Sequence, residues 1–328
     1  MANKMEPIDL WIINNAERLQ LRLTEYTWPS KWWPGLSDLS AKIMIDDIEY
    51  IGRGSDLDPT VATRKAIIEA TERFVAKSNG CTSSNGVAAH TDRKKAVLGA
   101  KQELIERDLF LMHFLTMMPF STFTPTSLTI PSNLKNNLSA QGVTLYYGVL
   151  VDQKDFKGVI AIATGFKCIR PWGLCLGMSV DTSFELASEK ATIECLRHII
   201  PLIQDIDLPT PHTINSFKSM SSHLVDDHFK LGLNIDYAKW FVKNFIKDTP
   251  SSLRATNTQT TFETFDLVIP NSVSNPPLYV VKSKSTELQD LFFGCTTLEK
   301  ININRLFSFN PNLRNRLDSV NMYPHPIC

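Results

Sequence analysis

Apolar residues recur at helical spacing in three stretches of the chain, with β-branched, alternating stretches in between. "AKIMIDDIEYIGRGSDLD" predicts a strand pair ending in a glycine turn at Gly52 to Gly54. From about Pro59, "PTVATRKAIIEATERFVAK" has helical apolar spacing and a proline near its start. The small-residue loop "SNGCTSSNGVAAHTD" leads to a second helix from about Asp92 to Phe114. Alternation in "VTLYYGVLVDQKDFKGVIAIATGFKCI" predicts two strands about the turn "DQKDFKG". "GLCLGMSVDTSFELASEKATIECLRHIIPLIQ" then repeats glycine-bearing strand, loop and helix. "FDLVIP" and "LYVVKSKS" read as late strands.

Two regions stand apart. Residues 1–44 form an N-terminal segment, amphipathic at first and then irregular in "TEYTWPSKWWPGLSDLS". Residues 205–260 are polar and rich in Ser, Thr and Pro, with one predicted helix in "DYAKWFVKNFIKD". They read as a variable, loop-rich insertion. The fold class is α+β, a single interwoven domain over residues 45–328 with repeated strand–loop–helix elements.

The three helices align on their alanines. The first reads Ala62, Ala66, Glu69, Glu72, Arg73; the second reads Ala96, Ala100, Glu103, Glu106, Arg107. The third is degenerate, with Ala187, Ala191, Glu194, Arg197 and His198. Offsets of 4, 7 and 10 share one helix face. Small residues there admit a close neighbour, and the glutamates project from the same face. Two such helices facing each other bring four carboxylates together, which repel unless something neutralises them. Magnesium or calcium suits oxygen ligands. A di-iron site would want Glu-x-x-His instead. Arginine after each pair suits phosphate, so the pattern points to a nucleotide site. "ExxER" also occurs on ordinary solvated helices, and a 34-residue period could mark a helical repeat; the third copy, 91 residues on, and the β-rich segments between argue against both.

Composition narrows the classes. The 34 basic and 34 acidic residues cancel, so no global field draws nucleic acid or an anionic membrane. The start lacks a signal-peptide pattern, and no apolar run is long enough to span a bilayer. Six cysteines without CxxC read as free thiols in a cytoplasmic protein. No Walker motif is present, which excludes an ordinary P-loop ATPase. His223 and His228 lie five apart, which is not a helix-face ligand spacing. His198 reads as a C-terminal cap of the third helix, Cys81 as a buried thiol and the "KWWP" tryptophans as core.

"GRGSDLD", the alanine–glutamate helix ending "ERF", "SSNGVAA" with the helix ending "ELIERD", and "LGMSVD" with the third helix resemble the YcaO family. "YPHPIC" is similar to the proline-rich tail of its azoline-forming members. The resemblance covers about residues 45–328, leaving 205–260 without a motif. It implies ATP-dependent activation of a backbone amide in a precursor peptide. In the cyclodehydratase branch a Cys, Ser or Thr side chain closes to a thiazoline or oxazoline. Carried onto this chain, the resemblance makes Glu69, Glu72, Glu103 and Glu106 ligands of Mg2+. It puts Arg53, Ser55, Arg73, Asn85, Thr91, Lys95 and Arg107 on the nucleotide, with Arg107 and the Cys328 carboxylate as catalytic groups. His90 and Thr91 replace the family's usual glycine and asparagine, Lys95 replaces a glutamate, and Cys328 replaces a terminal proline. About 45 residues precede the first motif, so a separate E1-like protein is expected to recognise the leader peptide. An FMN-dependent dehydrogenase is expected to follow, and a homodimer is an open expectation. The alternatives within this resemblance are a thioamide- or amidine-forming enzyme and a non-catalytic scaffold subunit.

Overall fold

A computed structural model describes residues 5–126, 128–204, 209–247 and 260–327. Its contacts gather into two compact units, each made of two separate stretches of chain. Residues 1–104 and 262–285 form one, and residues 105–261 and 286–328 the other.

The first unit begins with α1 (Pro7–Asn15), β1 (Arg22–Glu25) and α2 (Trp28–Trp32). Trp28, Trp32 and Trp33 are buried, as the core reading required. β2 (Ser37–Ile45) crosses the boundary drawn at residue 44 and pairs along its whole length with β3 (Ile48–Asp56). The turn of this hairpin lies at Asp46 and Asp47, both with positive φ. Asp tolerates that conformation, and it matches the twist of the flanking strands. Gly52 and Gly54 are therefore inside a strand rather than in a turn, which corrects the sequence reading. Next come α3 (Pro59–Ser78), capped by the Asp58 carboxylate on the Thr60 amide, β4 (Val87–His90) and α4 (Arg93–Leu115). The helix predicted from Pro59 starts there, and the second matches within a residue.

The second unit opens inside α4. It continues with β5 (Phe120–Thr122), α5 (Leu134–Ala140), β6 (Thr144–Asp152), β7 (Lys157–Gly165), β8 (Trp172–Asp181) and α6 (Phe184–Ile203). β7 and β8 are buried almost throughout and centre a core with Phe110, Phe114, Phe241 and Phe245. His198 sits within α6, against Phe229, and so is not its terminal cap. The described part of the expected loop-rich insertion holds three helices where one was predicted: α7 (Ile214–Lys218), α8 (Val225–Gly232) and α9 (Ile235–Phe245). Polar composition hid them, because the large apolar side chains they bury (Phe217, Leu231, Tyr237, Phe241 and Phe245) are few and widely spaced. β9 (Ile246–Lys247) pairs with β5, giving the sheet order β8-β7-β6-β5-β9. The chain then returns to the first unit as β10 (Glu263–Asp266) and β11 (Tyr279–Lys284), where β11 pairs antiparallel with β4. It ends in the second unit with α10 (Ile303–Phe309) and a buried tail.

Candidate functional site

The repeat is a strand–helix unit. On β3, an added Cβ at Gly54 would lie 2.7 Å from the Ala66 nitrogen and overlap the Ala62 carbonyl oxygen. At Gly52 it would lie 2.9 Å from the Glu69 carbonyl carbon and overlap the backbone of Ala66 and Ala70. Glycines on the strand and alanines on the helix thus let two backbones touch. At that range the Glu69 carboxylate accepts the Arg53 backbone N–H at 2.8 Å. In the second unit Gly177 of β8 meets the backbone of Ala191 and Cys195, and Glu194 accepts the Met178 N–H at 2.6 Å. In the second copy Glu103 accepts the N–H of Gly86, whose φ is +73° and whose α-carbon lies against Leu104. The glutamate seven residues after the first alanine thus satisfies a backbone amide in every copy, including the one without a second glutamate. Sequence reasoning missed this role; the glycines at Gly52, Gly54 and Gly177 were the available signal.

In the first unit α3 and α4 bring Glu69, Glu72 and Glu103 together. Burial, then the carboxylates of Glu103 and Glu69, push the Glu72 carboxyl well above its ordinary range. The Ala89 N–H, which Glu72 accepts at 2.7 Å, and the Arg73 charge offset only part of this. Arg73 is engaged by Glu69 at 2.8 Å. Glu106 lies one turn beyond Glu103 on α4, within the second unit, and pairs with Arg107 at 3.6 Å.

Arg53 and Ser55 converge on one buried acid that sequence reasoning did not single out. Asp38 accepts Arg53 Nη2 at 2.6 Å, Ser55 Oγ at 2.5 Å and Trp28 Nε1 at 2.7 Å. The Arg53 guanidinium also lies 4.2 Å from the Tyr26 ring centroid. Alternation along β2 gave no warning, since it groups Asp38 with Ser40 and Lys42 on the face opposite Leu39, Ala41 and Ile43. Lys282 donates to the Asn85 carbonyl at 2.5 Å, while the buried Asn85 Oδ1 has no hydrogen-bond partner among the described residues. His90 Nδ1 accepts the Asp92 N–H at 2.8 Å, with the Thr91 hydroxyl 3.4 Å away. Burial and then Lys95 hold His90 below its usual range. Cys328 lies outside the described residues.

These residues fit Mg2+ and a nucleotide. The glutamates are oriented by backbone amides, and burial with two neighbouring carboxylates raises the Glu72 carboxyl, an environment that a cation would relieve. The orphaned Asn85 oxygen suits a hydroxyl or metal-bound water. Among the described residues no group of three or more His, Cys, Asp or Glu is placed to hold a metal ion by itself, the neighbourhood of His223 and His228 included. An open set is what magnesium takes, since it binds one or two carboxylates and completes its shell with water and phosphate oxygens.

A family model described as YcaO cyclodehydratase, ATP- and Mg2+-binding, matches residues 72–264. No curated protein matches the sequence. Among solved structures, a heterocyclase in complex with substrate and cofactor aligns over 98% of this chain at TM-score 0.66 and 12% identity. The chain spans 57% of that heterocyclase. YcaO from Methanopyrus kandleri, bound with AMPPCP and Mg2+, aligns over 87% of this chain and 92% of its own, at TM-score 0.57 and 13% identity. The E. coli microcin synthetase McbBCD complex supplies a chain aligned over 81% of this one and 88% of its own, at TM-score 0.55 and 13% identity. At such identities these likenesses speak for the fold, while the family match covers more than half of the sequence. The chain belongs to the YcaO family, and its cofactors are ATP and Mg2+.

Proposed function

We propose that this protein is an ATP-dependent cyclodehydratase that converts Cys, Ser or Thr of a precursor peptide to thiazoline or oxazoline. The side-chain sulfur or oxygen adds to the preceding carbonyl carbon. The resulting oxyanion takes the γ-phosphoryl group of ATP, and phosphate then leaves with the former carbonyl oxygen as the C=N bond forms. One ATP becomes ADP and phosphate, and the peptide loses one water. Mg2+ held at the glutamates would supply neutralisation of the phosphate charge.

The chain's own residues position and neutralise. Glu69, Glu72, Glu103 and Glu106 hold the metal, the first three through carboxylates fixed by backbone amides. Arg53, Ser55, Arg73, Asn85, Thr91, Lys95 and Arg107 are the residues that would hold the nucleotide. Arg107 stabilises the charge developing on the transferred group. The observation that carries this reading is the set of three glutamates, Glu69, Glu72 and Glu103, each oriented by a backbone amide, in a chain matched by an ATP- and Mg2+-binding family model. An E1-like protein presents the leader peptide and an FMN-dependent dehydrogenase oxidises the azoline. We place the reaction in the cytoplasm; no helix among the described residues is long and apolar enough to cross a membrane.

The test is ATP turnover with the leader-binding partner and a candidate precursor, wild type beside Glu103→Gln. Peptide-dependent phosphate release with matching loss of water, both abolished by the substitution, is the expected result. Phosphate release without dehydrated product would move the assignment to thioamide or amidine formation. Absence of both turnover and nucleotide binding would leave a scaffold subunit.

A further inference from the structure

The motif-free helices α8 and α9 grip the end of the described chain. His228 on α8 is buried, and its Nε2 accepts the Gly294 N–H at 2.8 Å. That bond leaves the proton on Nδ1, which donates to the His325 carbonyl at 2.5 Å. The two imidazoles stack with centroids 4.3 Å apart and planes 24° apart. His325, also buried, donates from Nε2 to the Phe292 carbonyl at 2.5 Å and accepts the Ile327 N–H on Nδ1 at 3.3 Å. Tyr237 on α9 donates its hydroxyl to the Pro324 carbonyl at 2.6 Å. Every imidazole nitrogen in this pair is engaged, and the pattern works only with both rings neutral. Burial favours that form, pushing His228 down to about 4 and His325 well below its usual range. The Arg107 charge contributes to the His325 effect, so this tail lies within electrostatic reach of a residue of the proposed site.

We infer that His228 is a positioning residue: through the stacked imidazole pair it fixes the segment Pro324–Ile327 in the placement that the peptide-modifying reaction requires. The inference rests on the function proposed above, and it gives residues 209–247 a task. An ordinary buried histidine would satisfy its own polar atoms. This one spends its only N–H on the tail and its only acceptor on the loop at Gly294, thereby tying the two together.

The experiment combines amide hydrogen exchange with steady-state kinetics on the full chain. His228→Leu should speed exchange of the Gly294 and Ile327 amides by about tenfold or more, since local opening sets that rate. It should also lower kcat for azoline formation by about tenfold or more, with KM for ATP unchanged, because a displaced group costs rate rather than nucleotide affinity. His228→Asn places an amide N–H where Nδ1 lies and should restore most of kcat and of the Ile327 protection, while the Gly294 amide, without its Nε2 acceptor, stays fast. Tyr237→Phe, which keeps the buried ring, should loosen the same segment and covers a misfolded leucine variant. Unchanged exchange in His228→Leu and Tyr237→Phe would overturn the inference. So would fast exchange with undiminished kcat, since the tail would then be fixed for nothing the reaction uses. Wild type without azoline formation would refute the proposed reaction, and with it the requirement placed on the tail; the exchange data would still report whether His228 fixes it.

Discussion

Replacing Glu72 by glutamine tests the electrostatics of the cluster independently of turnover. The metal-free protein keeps this carboxyl protonated to higher pH than the unfolded chain does, because burial and the Glu103 and Glu69 carboxylates oppose its charge. A carboxyl raised in the folded state costs stability as pH rises above its unfolded value of about 4.5. The loss continues until the folded group ionises, at up to about 1.4 kcal/mol per pH unit. Glutamine has no such loss, and its carbonyl oxygen can still accept the Ala89 N–H now held at 2.7 Å. The lost charge assistance costs about 1 kcal/mol at most. Measured by urea unfolding in EDTA, Glu72→Gln should match wild type or fall slightly below it at pH 5. At pH 8 it should be more stable relative to wild type than at pH 5, by no more than about 1.4 kcal/mol per pH unit between them. Titration calorimetry should show MgATP binding at least about tenfold weaker. A stability difference identical at pH 5 and pH 8 would mean Glu72 ionises normally, and the argument for a cation-seeking cluster would collapse.

Two further substitutions probe the frame. Gly54→Ala forces α3 off β3, since the new methyl overlaps the Ala62 carbonyl; we expect a loss of about 1–3 kcal/mol and weaker MgATP binding, and a neutral result in both would refute the close-packing account. Arg305→Ala strands the buried Asp108, which Arg305 now grips at 2.7 Å and 3.0 Å. Thermal or urea unfolding should show a loss of about 3–5 kcal/mol, largely recovered when Asp108→Asn is added, and a loss below about 1 kcal/mol would contradict the burial of that pair.

The sequence by itself determined the local vocabulary of this protein. Alanine and glutamate spacing placed α3, α4 and α6, because helical periodicity follows from local geometry alone. Alternation placed β6 and β7 for the same reason. The repeated glutamates and arginines also announced carboxylate and phosphate chemistry. Only the tertiary structure decided which atoms those groups serve. Gly52 and Gly54 read as a turn because glycine's local signal is freedom; their use is to admit a helix backbone, which depends on partners on α3, a separate element. Glu69 and Glu103 read as metal ligands and Glu194 as part of a degenerate copy, yet each accepts a backbone amide sixteen or seventeen residues upstream. Asp38 gathers Arg53, Ser55 and Trp28, and no spacing rule connects those positions. His228 meets His325 across 97 residues, a pairing that only burial and backbone placement create. Periodicity is a property of one segment, whereas hydrogen-bond partnership and charge burial belong to pairs of segments. The fold alone brings those pairs together.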